Sequence, residues 1–133
     1  MRTVYESDAF ILQRDDLRQL AALRRRGVRL ELDTLRAAFA ALLPGLADIQ
    51  RGEWSFLLDM REAPLRNDVD FERAMGLELA ALIAGFRRRA TLVKTAMGAL
   101  QVNRASRSVW GDDRDTLPEV FRDEDEAMQH LFS

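Results

Sequence analysis

The chain reads as an α/β protein with a mixed, partly parallel β-sheet, and two observations predict this. Apolar runs with the length of buried strands, at residues 54–59 and 90–95, alternate with amphipathic segments long enough to be helices. Residues 54–72, WSFLLDMREAPLRNDVDFE, also contain a strand-to-helix handover. An apolar run closes on Asp59, a polar loop with Pro64 follows, and Asn67-Asp68 opens an amphipathic segment. In α/β sheets this handover lies at the carboxyl edge of the strands, where ligands and partners usually sit.

Taken in order, residues 3–5 and 9–14 read as extended. Residues 15–26 leave two readings open. Leu17, Leu20 and Leu23 or Ala21 have helical spacing between Asp15 or Asp16 and Gly27. The same residues can instead pair back on 10–14 as a hairpin turning at Asp15-Asp16, a weaker turn than Asp-Gly. Leu32, Leu35, Phe39, Leu42, Leu43 and Leu46 then recur every three or four residues, which predicts a core-facing helix from near Asp33 to Pro44-Gly45. After the strand at 54–59, Phe71, Met75, Leu79, Leu82 and Phe86 share one face of a second helix over about 68–88. A strand at 90–95 leads through the turn Ala96-Met97-Gly98 into a third helix reaching Arg107, followed by a polar loop at 108–117. Residues 119–121 form a short last strand, and Asp123 with Glu126 makes a capping-box-like start to a final helix carrying Met128 and Leu131.

At 133 residues and 47% hydrophobic content, the chain has the size and apolar content of one domain, residues 1–133, with one core. It contains no cysteine, which excludes disulfides, thiolate metal sites and cysteine nucleophiles. The start, MRTVYESD, has no signal-peptide core, and no run approaches a membrane span, so a cytoplasmic protein without membrane insertion is expected. Twenty basic residues against 22 acidic give a net charge of −2, which does not predict a nucleic-acid partner. Lys94 is the sole lysine, so the triplets at Arg24–Arg26 and Arg87–Arg89 reflect an arginine-rich composition. Both are expected at element ends in solvent, the second at the negative end of a helix dipole. The single histidine, His130, falls on the last predicted helix, which argues against a histidine relay or a multi-histidine metal site. With no calcium-loop spacing and no Gly-rich phosphate loop, the sequence predicts neither cofactor nor metal, and no enzyme activity.

The succession FLLDMREAPLRNDVDFERAM, FRRRATLVKTAMGALQVNR and PEVFRDEDEAMQHL resembles the SpoIIAA-like branch of the STAS superfamily, named for sulfate transporters and anti-sigma-factor antagonists. The resemblance covers about residues 54–132. It implies a bacterial regulatory module whose sheet opens with a β-hairpin and is flanked by about four helices, and it therefore favours strand over helix at 15–26. Members of this group that act as anti-sigma-factor antagonists are switched by phosphorylation of a serine at the start of the helix after the central strand. Here that junction reads Asn67-Asp68-Val69-Asp70, and no serine or threonine lies between Met60 and Ala90. Asp68 is expected to act as a helix cap, with a constitutive phosphate mimic as the alternative.

The residues expected to form an interaction site at this edge are Asp59, Arg61, Arg66, Asn67 and Asp68 from the first loop, with Gly98, Gln101 and Arg104 from the second strand exit and the helix behind it. Glu62 and Thr95 lie nearby. Gln101 and Arg104 are three apart and share a helix face. A turn glycine and solvent-facing arginines would give the same pattern. Three functions are compatible with these residues. The first is a non-enzymatic regulatory module binding a protein partner or a second copy of itself, with Trp110 and Phe132 as exposed aromatic candidates. The second is a carrier or sensor of a small apolar, lipid-like ligand, a reading that also rests on the architectural likeness of SpoIIAA-like proteins to CRAL-TRIO lipid-binding domains. It predicts a cavity beneath the Phe71–Phe86 stripe. The third is a small enzyme using Asp59, Arg61, Asp68 and Arg104.

Overall fold

A computed structural model of the chain describes residues 1–64, 68–110 and 118–133, with the side chains at 105, 106 and 108–110 left aside. Six strands form one sheet whose spatial order equals their chain order: β1 (Arg2–Glu6), β2 (Phe10–Asp15), β3 (Leu20–Arg25), β4 (Ser55–Asp59), β5 (Arg88–Leu92) and β6 (Glu119–Phe121). The first three pair antiparallel and the rest parallel. Three helices connect the parallel strands: α1 (Leu32–Leu42), α2 (Val69–Ile83) and α3 (Ala96–Trp110). Successive right-handed crossovers running in one direction place all three on one face of the sheet. Among the described residues, the opposite face carries only α4 (Glu124–Phe132), packed on β4, β5 and β6.

Residues 15–26 are hairpin, not helix. Asp15 pairs with Leu20, and Gln19 takes a positive φ of 54° to close the turn. Leu17, the first residue of the alternative helical stripe, lies at the tip and is 97% exposed. Alternation along β2 buries Phe10, Leu12 and Arg14 on the α1 side. β4 is buried at all five positions, as expected of a central strand covered on both faces.

The two sheet faces have separate cores. Leu12, Leu23, Phe39, Phe56, Leu58 and Leu82 belong to the larger one beneath α1 and α2. Leu20, Leu57, Ala90 and Leu92 meet Ala127 and Leu131 of α4 in the smaller one. Each fully buried leucine or phenylalanine adds about 2 kcal/mol of transfer free energy. Gly45, in the 3-10 turn after α1, approaches β1 and β2 so closely that a Cβ there would lie 3.0 Å from Val4 and 3.1 Å from Leu12.

Several boundaries differ from those the sequence predicts. The α1 stripe is narrower, since Leu32 and Leu43 are exposed. α2 ends at Ile83 because Gly85, at φ 85°, turns the chain, so Arg88 and Arg89 fall within β5 and are half-buried. At the end of α2 it is Arg51 that donates to the carbonyls of Ala81 and Ala84, at 3.2 and 2.9 Å, whereas Arg87 of the triplet donates to the carbonyl of Leu131 in the last turn of α4 at 3.2 Å. Arg25 is not solvated either. It is buried, donates to the carbonyls of Ala9 and Arg26, and lies over the Phe10 ring. Gly98 lies inside the first turn of α3 rather than in the turn before it. Asp123 sits at the start of α4, but its side chain makes no cap hydrogen bond. The expected loop at 108–117 is helical up to Trp110, and 111–117 lies outside the described residues.

Candidate functional site

The strand-to-helix loop is ordered around a carboxylate. Asp59 closes β4 and accepts hydrogen bonds from the Arg61 backbone N–H, Nε and Nη2 at 3.1, 3.0 and 2.8 Å. This bonding holds the Arg61 guanidinium in its charged form, against a smaller opposing effect of burial. Strand alternation places Asp59 with Ser55 and Leu57 on the α4 side, and Arg61 accordingly reaches Glu124 of α4 at 3.8 Å. Asp68 caps α2, its side chain accepting from the Phe71 N–H at 3.1 Å. Arg66 and Asn67 lie outside the described residues.

On the other side of the sheet, α2 and α3 are joined by Glu72. One oxygen of this carboxylate accepts from Gln101 at 3.2 Å and Arg104 at 2.8 Å. The shared face expected for Gln101 and Arg104 is therefore turned towards a residue of α2 that sequence reasoning had not singled out. Thr95 caps α3, its hydroxyl accepting from the Gly98 N–H at 3.0 Å.

Below this bridge a cavity of about 120 Å³ lies between the sheet, α2 and α3. Its sheet wall includes Arg25, Leu58, Met60, Thr91 and Val93; Phe71, Met75 and Ile83 line it from α2, and Gly98, Gln101 and Val102 from α3. Glu72 and Pro64 also line it, so the carboxyl-edge loop and the helix bridge both border this space. Beside it, closed off from the space, lies an unsatisfied polar atom. Thr91 is 0% exposed, and its hydroxyl has no hydrogen-bond partner among the described residues.

The expected site residues thus divide between two places. Asp59 and Arg61 face α4, whereas Gly98, Gln101 and Arg104 belong to the α2–α3 side, and Asp68 caps α2. The four residues of the enzyme reading do not converge, since Asp59 and Arg104 are bonded to different partners on opposite faces. Among the described residues no group of three or more histidines or carboxylates is placed to hold a metal ion. No described helix is long and apolar enough to cross a membrane. His130, the lone histidine, stacks on Phe121 with ring centroids 5.4 Å apart. Phe132 is covered in part by Arg18, whose guanidinium carbon lies 5.3 Å from the ring centroid. The Trp110 side chain lies outside the described residues. Thr91 was legible only as the centre of a strand. Finding its hydroxyl buried and unpaired required knowing what packs on each face of the strand.

Comparison with family models, curated proteins and solved structures finds no match to this chain.

Proposed function

We propose that the protein is a non-enzymatic binding domain that takes a small, mainly apolar molecule into the cavity between the sheet, α2 and α3. The observation supporting this reading is the space itself. Leu58, Phe71, Met75 and Ile83 wall a partly open space of about 120 Å³ beneath α2. Pockets of this kind, apolar with a few placed polar groups, are typical of ligand sites. The test compares intact mass under native and denaturing conditions and adds a calorimetric titration with toluene. A mass lost on denaturation, or saturable toluene binding, supports the reading. Equal masses together with no toluene heat overturn it.

A second reading, a STAS-like bacterial regulatory module in the cytoplasm, draws support from the start of α2. Val69 is 75% exposed there, between Asp68 and the exposed Asp70. Permanent negative charge thus stands where the resemblance places a switchable phosphate. Asp68→Asn with Asp70→Asn removes that charge, and asparagine retains capping ability. This reading expects the pair to lose a protein partner identified by cross-linking, with Tm nearly unchanged. A partner retained in full would count against it.

A further inference from the structure

Resting on the small-ligand reading above, we propose that the molecule taken into this space ends in an amine. Glu72 holds that end as an ammonium ion at the rim, and the hydrocarbon part lies on the apolar floor. The walls differ in depth. Leu58, Phe71, Met75, Ile83 and Val93 are buried and form the floor. Pro64, Glu72, Gln101 and Val102 are half-buried, so the space opens at their level, between α2 and α3. Across that opening Gln101 Nε2 donates to Glu72 Oε1 at 3.2 Å, which makes the rim polar where the floor is not.

The polar side chains on the walls are not equally within reach. The Thr91 hydroxyl is closed off from the space. Arg25 is 2% exposed, and its guanidinium donates to the carbonyls of Ala9 and Arg26. A molecule entering from solvent therefore meets Glu72 and Gln101, and the charge among these is negative.

The chemistry of Glu72 selects the end group. Its Oε1 already accepts from Gln101 and from Arg104, whereas Oε2 accepts no side-chain hydrogen bond among the described residues. A carboxylate oxygen only accepts, so Oε2 is matched by a donor and opposed by a second carboxylate. Charge-assisted bonds of this kind are roughly twice as strong as neutral ones, which favours an ammonium over a hydroxyl. Arg104 does not reverse the preference. Its side chain is 62% exposed against 16% for Glu72, and it lies outside the lining of the space. Burying an ion without compensation is costly, but at a partly open rim the ammonium keeps some of its hydration while the hydrocarbon leaves water.

The test is an NMR titration of the full chain with benzylamine, benzyl alcohol, benzoate and toluene at neutral pH. The signals followed are the backbone amides of Gly76 and Val93 and the side-chain amide of Gln101. Benzylamine is expected to bind about tenfold more tightly than benzoate, with benzyl alcohol between them. Glu72→Gln keeps the shape of the side chain and should bring benzylamine and benzoate close to equal affinity, while a toluene response shows that the variant is folded. Arg104→Ala leaves Glu72 without its cation and should widen the preference for benzylamine. Benzoate or benzyl alcohol binding as tightly as benzylamine in the parent protein overturns the inference, whatever the variants do. So does a preference that survives Glu72→Gln or narrows in Arg104→Ala. Each of these leaves the small-ligand reading standing as long as toluene binds. If none of the four probes moves the Gly76 and Val93 signals, the small-ligand reading fails as well.

Discussion

Ser55 on β4 and Thr91 on β5 are both hydroxyl residues exposed to 1% or less, on opposite faces of the same sheet. Ser55 Oγ donates to the carbonyl of Leu131 at 2.9 Å, and Arg87 donates to the same oxygen at 3.2 Å, so the last turn of α4 is anchored to the sheet. Thr91 Oγ1 has no such partner among the described residues; the residue borders a cavity, but its hydroxyl is closed off from it. The face covered by one short helix uses its buried polar group to hold that helix in place. The face covered by three helices pairs its buried arginines but leaves this one hydroxyl without a partner among the described residues. A buried polar group that contributes nothing to stability is the kind of local cost tolerated at functional sites.

This contrast predicts a series of unequal effects. Leu131→Ala should have the largest, about 3 kcal/mol in urea unfolding, because it empties the centre of the packed α4 face. Leu79→Ala, half-buried beside the existing cavity, should cost only about 1 kcal/mol. Equal costs would mean that the two faces are equally well packed. Next come the two hydroxyls, whose substitutions should differ in sign. Ser55→Ala should destabilise by about 1–2 kcal/mol through the lost bond to α4, whereas Thr91→Val should stabilise by about 1 kcal/mol by removing an unpaired buried group. A Tm decrease for Thr91→Val would show that the hydroxyl is satisfied in solution. Gly98→Ala should raise stability by about 0.5 kcal/mol, a helix-propensity gain reduced by its first-turn position. Its Cβ would meet Thr95 Oγ1 at 3.4 Å, an ordinary contact.

The smallest effect is expected at the far end of the larger face. There the buried Arg14, stacked on Trp54, is bonded by Asp48 and Asp16 at 2.7 and 2.8 Å. Hydrogen bonding from Arg14 holds both carboxyls below their ordinary value of 3.8. A carboxylate with a lowered folded-state pKa contributes stability that is fully present above its unfolded value and lost as pH falls through the folded one. Tm should therefore change little above about pH 5 and fall below about pH 4. Asp48→Asn should flatten part of that acid slope. An unchanged slope would remove this pair from the account.

Much of the architecture was legible before the structure, though unevenly. β4 and the stripe Phe71, Met75 and Leu82 were readable because burial imposes a periodicity on the sequence itself. The 15–26 segment was ambiguous because three leucines at spacing three satisfy a helix pattern and can also occupy a strand. Pairing with β2 and β4 decided it, an interaction that no local window contains. The end of α2 was misplaced by the arginine triplet, since the residue that caps its carbonyls, Arg51, lies thirty positions earlier than Ala81. Within the candidate site, the cap at Asp68 and the pairing potential of Gln101 and Arg104 could be read locally, but Glu72 and Thr91 could not.

Composition and periodicity were sufficient for an α/β chain with alternating strands and helices and a polar loop closing the central strand, because these follow from rules acting over a few neighbouring residues. The split of the loop residues between two faces, the bridge from Glu72 to α3 and the unfilled space above Thr91 are products of three-dimensional packing. Each depends on how completely side chains from distant segments fill a shared volume, and that sum over many separate contacts leaves no pattern in any one stretch of sequence.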